Sequence, residues 1–272
     1  MKTHLFIVTY DGDLDWSPTC VKSIAKFLKG DVRKVAIIPP EHERTLQVFR
    51  DSGIFEVIPT PQWKPGYLYH MATKCRADEL IGAAPEDLII FMDTDMSLVR
   101  EVGAEAWMRD GLPSLVVEKY CDPVTGQSIG SHWEEATRKA LGLKRNDLRG
   151  RFECMRTPWR AFWASSVRDC RARISKVHRR PFEDYVKSCW ETSKDYLLPH
   201  RKFGSPEGWP TFADITSIGL FCMIYEPARY SITELTPGHR QIVEGPKWLH
   251  CGWSHALPKE SDLACWRAAG LC

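Results

Sequence analysis

The stretch Ile89-Ile90-Phe91-Met92-Asp93-Thr94-Asp95 decides the fold of this chain and points to its chemistry. Its apolar run is typical of a buried parallel strand. Residues i and i+2 of a strand point to the same side, so Asp93 and Asp95 can converge on one hard cation, Mg²⁺ or Mn²⁺, where the strand ends. The alternative is that Asp93 caps the following segment and that Asp95 is solvated. Since open α/β sheets bind ligands beyond the carboxyl ends of their strands, the stretch predicts a metal site facing a phosphate-bearing ligand.

Strand and helix patterns alternate over the first hundred residues. The predicted order is strand 3–9, helix 16–28, strand 33–38, helix 41–51, strand 54–58, helix 67–82 and strand 88–92. Such alternation predicts a mostly parallel sheet with helices on both faces. A strand at 115–118, mostly helical patterns over 131–195 and a strand at 218–225 follow. We expect a single α/β domain over 1–272, with 131–200 as a helical, basic elaboration.

The composition limits the class of protein. The chain has 272 residues and ten cysteines, and no two of the cysteines form a Cys-x-x-Cys pair. This spacing argues against a zinc ribbon and, inside a cell, against a disulfide framework. The sequence lacks an 18-residue apolar span, and Met1-Lys2-Thr3-His4 leads directly into the first predicted strand. We therefore expect neither a membrane helix nor a signal peptide, and a cytoplasmic location.

The region Asp87–Arg100, which contains Asp93-Thr94-Asp95, resembles the Asp-x-Asp region of the GT-A glycosyltransferases. Near the C-terminus, Trp248–Trp253 resembles the element whose histidine completes the metal shell in glycogenin and the bacterial galactosyltransferases. The resemblance implies a GT-A-like, Rossmann-like fold, a nucleotide-sugar donor and a divalent metal, Mn²⁺ or Mg²⁺. It implies Asp93, Asp95 and His250 as metal ligands. For His250, a core histidine or, with His255, a zinc site are the alternatives.

The same resemblance implies where the donor, expected to be a UDP-sugar, is held. The base and ribose would lie at the turn after the first strand, and the diphosphate would contact the helix before the motif, the motif itself and the C-terminal element. The implied donor contacts are Thr9, Tyr10, Asp11, Lys74, Arg76, Asp93, Thr94, Gly252 and Lys259. Lys74 is preferred to Arg76. An ordinary strand-end turn, an exposed helix surface and a solvated Lys259 are the competing interpretations.

The acceptor side offers two candidate catalytic carboxylates. Asp214 enters an apolar segment after a loop-like stretch, which suits a base that accepts a hydroxyl proton or orients the acceptor. Glu207 is the alternative candidate, and helix capping is the alternative role for Asp214. The patterns leave open whether the reaction retains or inverts the sugar configuration.

Positive charge is concentrated in 138–180, which contains fourteen Lys or Arg against three Asp or Glu, in a chain of net charge +2. Such asymmetry is typical of a surface for a polyanion. The candidate nucleic-acid contacts are Arg160, Trp163, Arg171, Arg173, Arg179 and Arg180. For the tryptophan, the core face of a helix is the alternative.

The preferred acceptor is a hydroxymethylated base in DNA, such as 5-hydroxymethylcytosine, the kind of substrate that bacteriophage enzymes modify. A glycan, a lipid-linked core or a small molecule is the alternative acceptor. A non-catalytic nucleic-acid-binding protein, with an incidental Asp-x-Asp, is the alternative outside the enzyme class.

Overall fold

A five-stranded sheet forms the centre of the molecule. The structure, a computed structural model, describes residues 1–64, 66–119, 132–144, 147, 152–154, 160–193, 212–235, 249–251 and 257–272. The strand order is β3-β2-β1-β4-β9. Strands β1 to β4 are parallel, and β9 runs antiparallel to β4. This arrangement confirms the predicted α/β class with its mostly parallel sheet.

The strands are short and joined mainly by helices. The strands of the central sheet are β1 (Thr3–Val8), β2 (Val32–Ile38), β3 (Glu56–Pro59), β4 (Leu88–Phe91) and β9 (Ala161–Trp163). The remaining strands are β5 (Met96–Leu98), β6 (Met108–Arg109), β7 (Leu112–Lys119), β8 (Phe152–Glu153), β10 (Ser231–Leu235) and β11 (Leu249–Cys251). The helices are α1 (Ser17–Phe27), α2 (Glu43–Asp51), α3 (Gly66–Lys74), α4 (Ala77–Ile81), α5 (His132–Leu141), α6 (Ala164–His178), α7 (Phe182–Ser193), α8 (Asp214–Tyr225) and α9 (Glu260–Ala268).

Alternate residues of the central strands belong to different hydrophobic clusters. In β1, Phe6 packs into one cluster, whereas Leu5 and Ile7 pack into the other. In β4, Ile89 and Ile90 are divided in the same way. Because successive side chains of a strand point to opposite faces, the sheet is covered on both sides.

Two smaller sheets complete the fold within the described residues. Strand β7 pairs with β10 in parallel and with β6 and β8 in antiparallel orientation. Strand β11 pairs antiparallel with β5, so that His250 lies opposite Ser97 and Cys251 opposite Met96. A segment near the end of the chain is therefore fixed beside the strand that follows Asp95.

Three details of secondary structure differ from the sequence-based expectations. The strand predicted at 218–225 is wrong, because these residues belong to α8, which is buried on all sides over most of its length. Such a helix shows no polar face, so its apolar run cannot be told from a strand by periodicity. The helix predicted at 67–82 is two helices, α3 and α4, with Arg76 between them in a non-helical conformation. The segment 131–200 contains α5, α6 and α7 but also β9, which joins the central sheet.

In the described part of the chain, no helix is long and apolar enough to cross a membrane. Eight of the cysteines in the described residues are free thiols, and six of these eight are buried. The six buried cysteines fill the core as small apolar side chains, as the sequence led us to expect.

Candidate active site

Asp93 lies directly beyond the carboxyl end of β4 and is held by two cations. Lys74 Nζ, at the end of α3, donates to Asp93 Oδ1 at 2.6 Å. Arg160 Nη1 donates to Asp93 Oδ2 from the position just before β9, where its own carbonyl accepts a hydrogen bond from Phe91 N at 2.8 Å. Burial alone would raise the pKa of Asp93, but Lys74 and Arg160 hold it well below its usual range. Asp93 is therefore an anion at neutral pH, with one cation on each oxygen.

Lys74 also contacts a second carboxylate. Its Nζ lies 3.5 Å from Asp214 Oδ2. Asp214 is the first residue of α8 and is 1% exposed. Neither of its carboxylate oxygens has a hydrogen-bond partner among the described residues. Burial alone would lower the pKa of Lys74, but Asp93 and Asp214 raise it above its usual value, so the ammonium is shared between two anions.

Asp13 adds a third carboxylate at the same edge of the sheet. It follows β1 in a short 3₁₀ turn, is buried, and accepts hydrogen bonds from Thr9 Oγ1 at 3.2 Å and from the Thr94 side chain. Burial raises its pKa to about 6, and the charges of Asp93 and Asp95 act in the same direction. The predicted donor contacts Thr9 and Thr94 thus contact Asp13 in this structure.

The turn after β1 carries a group of aromatic and polar side chains. Asp11 Oδ1 accepts hydrogen bonds from Thr45 Oγ1 at 2.7 Å and Thr45 N at 3.2 Å. Its Oδ2 lies 3.7 Å from His42 Nδ1. Although burial opposes it, these contacts hold the pKa of Asp11 below its usual value. The Tyr10 ring lies between His42 and His70, with its centroid 6.0 and 4.8 Å from theirs. The predicted residues Tyr10 and Asp11 therefore contact neighbouring side chains of this group, at the turn that follows β1.

His70 is a neutral side chain in this group. Burial, with a further contribution from the charge of Lys74, lowers its pKa to about 3. Its Nε2 is buried without a hydrogen-bond partner among the described residues. A neutral imidazole nitrogen can accept or donate one hydrogen bond, depending on its tautomer.

The side chains at the sheet edge fit a divalent cation by charge and by ligand type. Lys74 and Arg160 pair with Asp93 and Asp214, and the charges of Asp93 and Asp95 act on Asp13, so these four carboxylates and two cations have a formal charge of −2. Carboxylate oxygens are the ligands that Mg²⁺ and Mn²⁺ prefer. Within the described residues, no three His, Cys, Asp or Glu side chains form a group that could hold a metal. A third protein ligand would therefore come from a side chain outside this described set. His250 is the candidate from the sequence, and its backbone lies opposite Ser97, two residues beyond Asp95.

The other predicted donor contacts are placed away from Asp93 or not described. Arg76, between α3 and α4, forms ion pairs with Glu79 at 2.9 Å and with Glu183 of α7. Lys259 is exposed at the start of α9, where its backbone N–H donates to Asp262 Oδ2 at 2.6 Å. Gly252 and the catalytic candidate Glu207 lie outside the described residues.

The predicted nucleic-acid contacts divide into buried and exposed groups. Arg160 is buried on Asp93, and Arg171 forms a bidentate ion pair with Asp78 at 2.6 and 3.0 Å. Trp163 is half-buried and donates from Nε1 to the Arg229 carbonyl at 3.2 Å.

Three further arginines lie at the surface or close to it. Arg173 is half-buried over the Tyr225 ring, whereas Arg179 and Arg180 are exposed after the last turn of α6. The surface charge of this segment is therefore smaller than its composition suggests.

Three side chains at the sheet edge, Asp13, His70 and Arg160, were not predicted from the sequence to lie there. Asp13 has a recognisable signal, because it follows β1 as Asp93 follows β4, and adjacent parallel strands end at the same edge. The pairing of Arg160 with Asp93 has no local signal, since the two residues are 67 positions apart.

The similarities of this chain to known proteins lie among solved structures. No family model matches the chain, and no curated protein matches it. Among solved structures, it is similar to a galactosyltransferase, LgtC, crystallised in complex with donor and acceptor sugar analogues. The two share 10% sequence identity with a TM-score of 0.46, over 98% of this chain and 93% of the other. A similarity of this size assigns no residue roles.

Proposed function

We propose that this chain is a metal-dependent glycosyltransferase that moves a sugar from a nucleotide sugar, a UDP-sugar, to a hydroxyl acceptor. The observation that carries the proposal is the charge cluster at the carboxyl edge of the parallel sheet. Asp93 and Asp95 follow β4, Asp13 follows β1, and Lys74 and Arg160 lie beside Asp93. Ligand sites of open α/β sheets lie at this edge, and a cluster of this composition suits a cation together with a diphosphate.

The chemistry of the cluster matches the departure of a nucleoside diphosphate. Transfer breaks the bond between the anomeric carbon and the β-phosphate oxygen, which leaves negative charge on the diphosphate. A divalent cation on Asp93 and Asp95, with His250 as a further ligand, would stabilise that charge. Lys74 and Arg160 are cations beside the same position, and positive charge in a partly dry site stabilises developing negative charge.

The group after β1 suits the base and ribose of the donor. Tyr10 offers a ring face for stacking, and the anionic Asp11 accepts hydrogen bonds, as from a ribose hydroxyl or a base N–H. His70 is neutral, and its ring packs against the ring of Tyr10. These are neutral or anionic contacts, which suit the uncharged part of a nucleotide rather than its phosphates.

A hydrolysis assay on a panel of UDP-sugars tests the donor assignment. With Mn²⁺, the wild-type chain should release UDP from at least one sugar, and excess chelator should abolish the release. Asp95→Asn should reduce the rate by about a hundredfold or more, the scale of losing an essential charge-stabilising group. Asp15→Asn is the matched control, because Asp15 is exposed two residues beyond Asp13. Full activity in chelator, or turnover of no nucleotide sugar, would refute the proposal.

For the acceptor we propose a hydroxymethylated base in DNA. The support is the exposed basic side of α6 and the residues that follow it, Arg168, Lys176, Arg179 and Arg180. Phosphate contacts of this kind supply affinity without sequence recognition. A glycan or small molecule is the alternative acceptor. If the chain binds DNA but turns over no nucleotide sugar, a non-catalytic nucleic-acid-binding protein is favoured instead.

Charge reversal tests the DNA surface. Arg179→Glu/Arg180→Glu should weaken binding of hydroxymethylated DNA, measured by fluorescence anisotropy, and reduce its salt dependence. Arg44→Glu/Arg50→Glu is the control, since it makes the same charge change at exposed positions of α2. Hydrolysis of the donor without acceptor should stay at the wild-type rate in both variants. Equal binding by the two double variants would exclude this surface as the DNA site.

A further inference from the structure

Lys74 lies beside two carboxylates, one of which, Asp93, is a proposed metal ligand. It is a half-buried ammonium that lies 2.6 Å from Asp93 and 3.5 Å from Asp214. A divalent cation that binds to Asp93 must compete with this ammonium, because like charges this close repel each other strongly in a partly buried site. The affinity of the site for a cation therefore depends on which other carboxylate can pair with the Lys74 ammonium.

Asp214 is the other carboxylate within reach of Lys74. It is buried at the start of α8, and neither of its oxygens accepts a hydrogen bond from the described residues. A buried carboxylate without hydrogen bonds is costly unless a nearby charge compensates it. Lys74 is the ion-pair partner that the structure places beside it. An acceptor hydroxyl in solvent does not reach these buried oxygens, which argues against Asp214 as the catalytic base in this conformation.

We propose that Asp214 is a positioning residue that tunes the affinity of the site for a divalent cation by offering Lys74 a second carboxylate. This inference rests on the proposed function, because it takes Asp93 and Asp95 as the cation ligands. With a cation at the site, the Lys74 ammonium would shift its contact from Asp93 toward Asp214 and leave Asp93 Oδ1 available as a metal ligand. Arg160 keeps the other oxygen of Asp93 and holds the carboxylate in place.

The proposal predicts opposite effects for two changes at the pair. Asp214→Asn removes the second carboxylate, so Lys74 stays on Asp93 and competes with the cation more strongly. Lys74→Met/Asp214→Asn removes the competing ammonium as well and leaves no unpaired charge behind. The single variant should bind Mn²⁺ about tenfold more weakly than wild type, and the double variant, which lacks the competing ammonium, should bind it more tightly than wild type.

Direct measurement of Mn²⁺ binding tests the proposal without a donor or an acceptor. The electron paramagnetic resonance signal of free Mn²⁺ gives the dissociation constant for the wild type, the two variants and Asp184→Asn. Asp184 is the matched control, since it is an exposed aspartate in the first turn of another helix, α7. The control should bind Mn²⁺ as the wild type does.

The outcomes separate this inference from the proposed function. Wild-type binding of Mn²⁺ with an unchanged constant in Asp214→Asn would overturn the role of Asp214 and leave the metal site standing. A double variant as weak as the single variant would show that Asp214 acts through the fold rather than through Lys74. If Asp214→Asn does not fold, a double variant that binds Mn²⁺ no more tightly than wild type overturns the proposal. Absence of Mn²⁺ binding by the wild type would overturn the metal site and this inference together.

Discussion

Asp93→Asn should destabilise the fold as well as stop catalysis. The substitution keeps the shape of the side chain but removes the anion that compensates Lys74 and Arg160, whose side chains are only 14% and 7% exposed. Breaking a buried ion pair costs about 3–5 kcal/mol, and we take the lower end, about 3 kcal/mol, because Asp93 itself is 29% exposed. For a chain of this length, such a loss lowers the melting temperature by about 6–12 °C.

Chemical and thermal denaturation measure this effect. Because the pKa of Asp93 is lowered in the folded state, its stabilisation is complete above the ordinary carboxyl pKa of about 4 and is lost as the pH falls below that value. The difference in unfolding free energy between wild type and Asp93→Asn should therefore be constant near neutral pH and shrink in acid. Asp15→Asn, at an exposed position, is the control. A melting temperature within about 2 °C of wild type would refute the reasoning that Asp93 holds two buried cations.

Three further substitutions test the contribution of individual buried side chains to stability. Arg171→Met should cost about 3 kcal/mol in guanidinium denaturation, because it leaves the buried partner Asp78 uncompensated. Burial lowers the pKa of His70 to about 3, so below the ordinary histidine pKa of about 6.5 the unfolded chain binds a proton that the folded chain does not. The free energy of unfolding of the wild type should therefore fall by about 1 kcal/mol more than that of His70→Phe between about pH 6 and pH 5. Trp266→Phe removes the donor to Ser97 Oγ at 2.9 Å and should cost about 1 kcal/mol, whereas the same change in a Ser97→Ala background should cost less.

The central sheet could be predicted because its signals are local. The strand at 88–92 and the carboxylates behind it are adjacent in the sequence, and the structure places them at the end of β4 as expected. The end of a strand in a parallel sheet fixes the position of the next residues. Asp93 was therefore predictable at the sheet edge from a short window of sequence.

The partners of Asp93 could not be predicted, because their contacts are long-range. Lys74 and Arg160 come from different elements, 19 and 67 residues away. A count of positive charge assigned Arg160 to a polyanion surface, since composition cannot tell which charges already have partners. Arg171 illustrates the same limit, because its charge is compensated by Asp78 in α4.

Helix α8 shows a limit of a different kind. Ile218 and Leu220 are both fully buried, although alternate residues of an amphipathic helix would not both face the core. A helix surrounded by other elements needs no polar face, so its sequence carries no 3.6-residue period. The pattern therefore offered a helix start at Asp214 only as an alternative, although Asp214 is the first residue of α8.

The pairing of β11 with β5 has a consequence for the order of folding. Trp266 of α9 bonds to Ser97 across 169 residues, and Lys22 of α1 donates to the Leu271 carbonyl across 249 residues. During synthesis the N-terminal strands and α1, which packs against β5, emerge first, but β5 gains its paired strand β11 and its hydrogen bond to α9 only when residues 249–268 have been made. Contacts of such long sequence separation form late and slowly. A nascent chain can thus assemble the parallel sheet well before the edge that carries Asp93 and Asp95 becomes rigid.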